Sequence, residues 1–211
     1  MSDPAVIVFL RAPETGRVKT RLTARVGNGP RGLSPDAALK LYRAFVEDTL
    51  EAAAGQGSVF LFFHPPGKRE LVENWLGNGY PLTAQAGEDL GGKMAHAFRT
   101  VFDRGFERAV LVGTDIPELD PAIFDSAGKA LEQSDAVIGP SRDGGYYLIG
   151  MNRPAFSDRF FSGMSWSTSR VLDDTLAVFR QHGVSYECLR TLNDVDTPED
   201  LADLKKKAET G

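Results

Sequence analysis

The sequence predicts an α/β protein, a single three-layer α/β/α domain over residues 1–211 on a mostly parallel mixed sheet. Three observations carry this. Short apolar runs alternate with segments of helical period, the order that sets parallel strands beside crossover helices. The run AVLVG, residues 109–113, is apolar throughout, as a strand covered on both faces requires. Two later runs, DAVIGP and GGYYLIGM, stand too close together for a parallel crossover, so one strand there runs antiparallel or crosses to the sheet's edge.

In chain order, AVIVFL (5–10) is the first strand. A helix follows over 34–54, with Ser34 as N-cap, Pro35 at the first position, and Ala38, Leu41, Tyr42, Phe45, Val46 and Leu50 on one face. SVFLFFH (58–64) is a strand, Lys68 to Leu76 a polar helix, and the residues near Leu82 a weak strand. In LGGKMAHAFRTVF, Leu90, Met94, Ala97, Phe98 and Val101 share a face. After AVLVG, Asp120 and Pro121 open another helix. DAVIGP (135–140) and GGYYLIGM (144–151) come next, then a long helix from about Ser167 to His182, the run VSYECL, and a last helix starting at Thr197-Pro198.

A chain of 211 residues buries one good core more readily than two. Hydrophobic residues make up 42% and charged ones 25%, which fits a globular protein rather than a disordered one. The formal net charge of -5 argues against a general nucleic-acid binder, so any anion site must be local. Cys188 is the single cysteine, which excludes an intrachain disulfide and matches a reducing, cytoplasmic setting. The first apolar run is too short for a signal segment or a membrane span. Oligomeric state is not legible.

Against that acidic balance, the stretch VFLRAPETGRVKTRL gathers Arg11, Arg17, Lys19 and Arg21 just after the first strand. In open α/β sheets ligands bind beyond the carboxyl ends of the strands, and a cationic loop with Gly16 to let backbone approach suits phosphates there. The plain alternative is a solvated basic loop. It is not a Walker A loop, since Arg11 stands where the first glycine belongs. Gly27, Gly29 and Gly32 satisfy a dinucleotide spacing but lack a preceding strand, so that reading is rejected.

Asp115, in VLVGTDIPEL, leaves the end of a central strand while Asp120 takes the helix-cap duty. A carboxylate so placed suits a hard divalent cation that bridges to phosphate. In LNDVDTPEDL, Thr197 and Asp200 are explained by a capping box. Asp194 and Asp196 precede that turn and, if extended, point to one side, where a metal role and a structural role stand even. Asp143-Gly144-Gly145 reads first as a tight hairpin turn. His64, His96 and His182 show no metal-ligand spacing, and Trp166, Tyr146 and Tyr147 read as core or rim aromatics.

Taken together, RAPETGRVKTRL, GTDIPEL, DGGYYLIGM, SWSTSRVLDDT and NDVDTPEDL, in this order, resemble one family over residues 5–205. It is the glycosyltransferase-like family of GT-A (nucleotide-diphospho-sugar transferase) fold, of the arsenosugar-biosynthesis glycosyltransferase type, related to 2-phospho-lactate guanylyltransferase and molybdenum-cofactor guanylyltransferase. The resemblance implies a nucleotide over the N-terminal half of the sheet and an acceptor over the C-terminal half. Arg11, Ala12, Pro13, Gly16, Arg17, Lys19 and Arg21 would hold the phosphates, with Gln85 and Gly87 near the base. Asp115 and Asp196 would bind Mg²⁺ or Mn²⁺. Asp143, Gly144, Gly145, Trp166, Ser167 and Thr168 would border the second substrate. One departure stands out: GTDIP carries a single aspartate rather than D-x-D, which implies low metal affinity until the nucleotide arrives.

Two chemistries follow from that resemblance. In glycosyl transfer from a nucleotide-diphospho-sugar, an acceptor hydroxyl attacks the sugar carbon and Asp143 is the candidate base. In nucleotidyl transfer, a phosphorylated small molecule attacks a nucleoside triphosphate, pyrophosphate departs, and Lys19 steadies the transition state without any protein base. Glycosyl transfer is the preferred expectation, with a non-catalytic nucleotide-binding protein as the rival of another class.

Overall fold

The computed structural model describes residues 3–24 and 32–210. Gly27, Gly29 and Pro30 of the rejected glycine motif lie outside the described residues. Among the described residues seven strands form one sheet: β1 (Ala5–Arg11), β2 (Val59–His64), β3 (Leu82–Ala84), β4 (Arg108–Val112), β5 (Ala136–Pro140), β6 (Tyr146–Asn152) and β7 (Tyr186–Cys188). Their spatial order is β3-β2-β1-β4-β6-β5-β7. All pairings are parallel except those of β6, which runs antiparallel to both β4 and β5, as the short spacing of its segment requires.

The helices are α1 (Thr20–Thr23), α2 (Pro35–Ala53), α3 (Arg69–Leu76), α4 (Leu90–Phe102), α5 (Pro121–Gln133), α6 (Val171–Gln181) and α7 (Pro198–Thr210). Their starts follow local chemistry. Ser34 accepts from the Ala37 N–H, Asp89 from Gly92 and Asp120 from Ile123, each occupying a backbone donor that the first helical turn leaves unpaired. At α7, Thr197 Oγ1 accepts from the Asp200 N–H at 3.2 Å while Asp200 Oδ2 accepts from the Thr197 N–H at 2.8 Å, the reciprocal pair of a capping box.

Alternation along β1 divides the core into two. Val6, Val8 and Leu10 pack with α2, α3 and α5 on one face of the sheet. Ala5 and Ile7 pack with the α4 side chains Met94, Phe98 and Val101 and with Phe179 of α6 on the other. These are the outer layers of the expected α/β/α sandwich.

Two expectations need correction. The helix read from Ser167 begins at Val171, because Ser167 takes a left-handed backbone (φ 64) and the Leu172 N–H is drawn to the Gly144 carbonyl at 2.9 Å. Leu90, placed by its period on the buried face of α4, is 44% exposed. As the first residue of α4 it overhangs the rim of the sheet instead of packing beneath it.

The strand order reverses between β1 and β4: β2 and β3 lie to one side of β1, later strands to the other. Loops leaving the carboxyl ends of two such parallel strands diverge to opposite faces and open a crevice. Lys19 follows β1 and Asp115 follows β4, so the crevice is where both belong.

Candidate active site

The β1 loop is tied down before it offers any charge. The Tyr42 hydroxyl accepts from the Arg11 N–H at 2.6 Å and donates to the Arg11 carbonyl at 2.9 Å; its burial pushes the phenol above its ordinary pKa. The Ala12 N–H donates to the His64 carbonyl at 2.8 Å. Ala12, Pro13 and Val18 are buried, and Gly16 turns the chain with φ 73. Next to buried Val18, Lys19 takes a left-handed conformation (φ 47) and has a side chain only 4% exposed.

The Lys19 ammonium lies 2.8 Å from Asp115 Oδ1, 3.0 Å from Asp196 Oδ1 and 2.7 Å from the Val195 carbonyl. The ammonium donates hydrogen bonds to Val195 and Asp196 and meets Asp115 as an ion pair. The ammonium also sits 5.6 Å from the centre of the Phe45 ring. Asp196 comes within reach because the Val195 N–H donates to the Asp115 carbonyl at 2.9 Å, fastening the segment before α7 to the loop after β4. Arg21 stands 3.6 Å from Asp196 Oδ2 with its side chain largely in solvent.

Around this cluster a cavity of about 440 Å³ opens, lined by Arg11, Arg17, Lys19, Thr20, Arg21, Gln85, Asp115 and Asp196 among others. Its size falls in the usual range for small-molecule sites. Tyr42, Leu90, Met94, Tyr146 and Tyr147 also line it, and sequence reasoning assigned none of them there. Periodicity reads Tyr42, Leu90 and Met94 as core, and Tyr146 and Tyr147 read as core or rim aromatics. Gln85 holds its side chain by donating to the Phe62 carbonyl at 3.0 Å. Gly87 is not on the cavity wall; a Cβ there would meet the backbone of Gly92 and Lys93 at 2.5 Å, so its role is to let the α4 start approach.

A second cavity of about 250 Å³ joins the first at Leu90, Gly113, Asp115, Tyr146 and Tyr147. Ser141, Asp143, Gly145, Trp166, Ser167, Thr168 and Asp194 complete it. Asp143 also holds its turn: its Oδ1 accepts from the Ser141 hydroxyl and, at 2.9 Å, from the Gly145 N–H. Gly144 is required (φ 88), because a side chain would strike the Ser169 carbonyl. Asp196 lines the first cavity and Asp194 the second, and both border a third of about 460 Å³ together with Arg21, Arg142 and Asp143. Burial, then the charge of Asp143, raises the Asp194 carboxyl above the usual carboxylate range.

The oxygens of Asp115 and Asp196 converge on one point, occupied by the Lys19 ammonium. Carboxylate oxygens are the donors that Mg²⁺ and Mn²⁺ take, so the pair fits such an ion in type. Among the described residues no group of three or more His, Cys, Asp or Glu gathers at a possible metal point. The pair thus supplies part of a coordination shell, and phosphate oxygens or water would have to supply the rest.

The chain is a single α/β domain with a mostly parallel mixed sheet, and its solved neighbours are proteins of the nucleotide-diphospho-sugar transferase fold. Residues 49–168 match the model of a family described as "Uncharacterized protein conserved in bacteria (DUF2064)", and the chain belongs to that family. A solved protein from Desulfovibrio desulfuricans G20, named as a candidate nucleotide-diphospho-sugar transferase, is 38% identical with a TM-score of 0.89, covering 98% of this chain and 88% of that one. A 2-phospho-L-lactate guanylyltransferase from Methanocaldococcus infernus is 28% identical over 126 residues, 58% of this chain. That match spans 56% of the relative's length, little more than half. The Rv0371c protein of Mycobacterium tuberculosis H37Rv, solved as a manganese complex, shares the fold at 17% identity and a TM-score of 0.57, covering 96% of this chain and 98% of that one. No helix among the described residues is long and apolar enough to cross a membrane.

Proposed function

We propose that this protein is a glycosyltransferase that takes a nucleotide-diphospho-sugar as donor, with Mg²⁺ or Mn²⁺ as its cofactor and a small molecule as acceptor. The observation that carries the reading is the convergence of Lys19, Asp115 and Asp196 in one cavity with Arg11, Arg17 and Arg21. Local positive charge in an acidic protein serves an anion, and a site so extended serves a diphosphate. The 38% identical relative named for that donor class supports it.

In this reading Arg11, Arg17 and Arg21 bind the diphosphate, and Lys19 holds Asp115 and Asp196 in place. A divalent cation held by Asp115 and Asp196 would supply Lewis-acid stabilisation of charge on the departing phosphate oxygen. The acceptor hydroxyl in the second cavity forms a bond to the sugar's anomeric carbon as the carbon–oxygen bond to the diphosphate breaks. The bonding pair leaves on the nucleoside diphosphate, and the hydroxyl proton passes to the Asp143 carboxylate. Ser141 and Gly145 orient that carboxylate by their hydrogen bonds to Oδ1.

A second reading, nucleotidyl transfer with pyrophosphate release, is favoured by the match to the guanylyltransferase. Incubation with labelled nucleoside triphosphates and, separately, with nucleotide sugars divides the two. Free nucleoside diphosphate from a nucleotide sugar supports glycosyl transfer, and pyrophosphate from a triphosphate supports the rival. A thermal-shift screen of nucleotides with and without Mn²⁺ tests the shared premise, since a ligand of the native form raises its melting point. If no nucleotide does so, both readings fall.

A further inference from the structure

The two joined cavities differ in the sign of their charge. The first is lined by Arg11, Arg17, Lys19 and Arg21, four cations against the two carboxylates of Asp115 and Asp196. The second carries Asp115, Asp143 and Asp194, and among the described residues no lysine or arginine lines it. Its remaining polar side chains are the hydroxyls of Ser141, Ser167 and Thr168, and Trp166, Tyr146 and Tyr147 supply aromatic lining, the Tyr147 hydroxyl being given to the Arg190 carbonyl. Its volume of about 250 Å³ equals roughly eight waters, the size of a pentose or a short polyol.

We infer that the second cavity selects an uncharged or cationic polyhydroxylated acceptor and rejects phosphorylated ones. A phosphate there would face Asp143 and Asp194 with no lysine or arginine in the lining, since the cation nearest Asp115 is Lys19, already engaged by Asp115 and Asp196, and a desolvated anion without a partner is excluded. Hydroxyls meet the opposite treatment: carboxylates accept their protons, serine and threonine return hydrogen bonds, and the aromatic rings cover the carbon face of the ring or chain. An ammonium would be held more firmly still by the same carboxylates. Trp166 packs on α4, where a Cβ at Gly91 would lie 2.6 Å from its ring.

The inference rests on the two-substrate reading above, and the experiment separates their failures. The chain has two tryptophans, so Trp75→Phe leaves Trp166 as a single reporter. Its fluorescence is titrated with ribitol, 1-amino-1-deoxyribitol and ribitol 5-phosphate. The first two are expected to act at concentrations at least 10-fold below the phosphate, and adding Asp143→Asn and Asp194→Asn should shrink that gap to under about 3-fold. A phosphate that acts as well as ribitol, or no response to any of the three, overturns the inference. Should the triple variant fail to fold, quenching of Trp166 in Trp75→Phe alone decides: caesium must quench more efficiently than iodide, and equal or stronger quenching by iodide overturns the inference. The same sample is scored for stabilisation by GDP and UDP with Mn²⁺. Loss of the acceptor preference with nucleotide binding intact sinks this inference alone, whereas absence of nucleotide binding sinks the donor-site reading.

Discussion

The Lys19 ammonium bridges Asp115 and Asp196 at 2.8 and 3.0 Å, so one cation of the chain occupies the point where two carboxylates would grip an ion. The three groups come from the β1 loop, the β4 loop and the segment before α7, and the ammonium stitches them together. Breaking a buried pair costs about 3–5 kcal/mol. Asp115 and Asp196 are 47% and 31% exposed, so water offsets part of that, and about 1–2 kcal/mol remains.

Lys19→Ala should therefore lower the melting point by roughly 2–8 °C. It should also free the two carboxylates, so that Mn²⁺ alone raises the variant's melting point by more than it raises that of the wild type. Differential scanning calorimetry at matched Mn²⁺ concentrations checks both. A variant no more responsive to Mn²⁺ than the parent would show that the carboxylates are not a metal pair.

Asp115→Asn keeps the side chain's shape and removes its charge. Nucleotide stabilisation that depends on Mn²⁺ should disappear, and turnover should fall on the order of 100-fold or more, the scale for losing one group that steadies transition-state charge. Calorimetric titration of nucleotide with and without Mn²⁺ measures the first effect. Unchanged isotherms would remove Asp115 from the site.

What the sequence announces and what it hides divide by range. Ser34-Pro35 and Asp120-Pro121 announce their helices because a cap is a contact three residues long. That one of the two strands within 135–151 runs antiparallel or crosses to the edge was legible from spacing, but not that β6 is the antiparallel one. Lys19 was legible as a cation near phosphate but not as a buried one, since its partners lie in Asp115 and in a segment more than 170 residues on. Asp194 and Asp196 were read as sharing a side in an extended segment; the Val195 N–H is bonded to the Asp115 carbonyl, and although both carboxylates border one cavity, only Asp196 reaches Lys19. The start of α6 was misread because the Gly144 carbonyl captures the Leu172 N–H, a tertiary contact without local signature.

Asp143 has a structural duty and a proposed chemical one, and a single pair of variants separates them. In Asp143→Asn the amide oxygen still accepts from Ser141 and Gly145, so the melting point should stay within about 2 °C of the parent. Proton acceptance is lost, so turnover should drop on the order of 100- to 10,000-fold. Asp143→Ala should lose both. If the asparagine variant turns over normally, the acceptor's proton goes elsewhere.

His64 offers a readout of phosphate binding that does not depend on turnover. Burial, then the positive charges of Lys93 and Arg11, hold its imidazole below the ordinary histidine pKa. The neutral ring is thus the form the fold prefers. Stability from this source is fully present above about pH 6.5, the unfolded value, and is lost as pH falls through the lower folded value. Replacing His64 by Gln should flatten that acid-side decline in melting point. A phosphate seated on Arg11 cancels part of the charge that depresses the ring, so saturating nucleotide should move the His64 titration midpoint upward in an NMR pH series. A midpoint that stays fixed while nucleotide binds would place the phosphates away from Arg11.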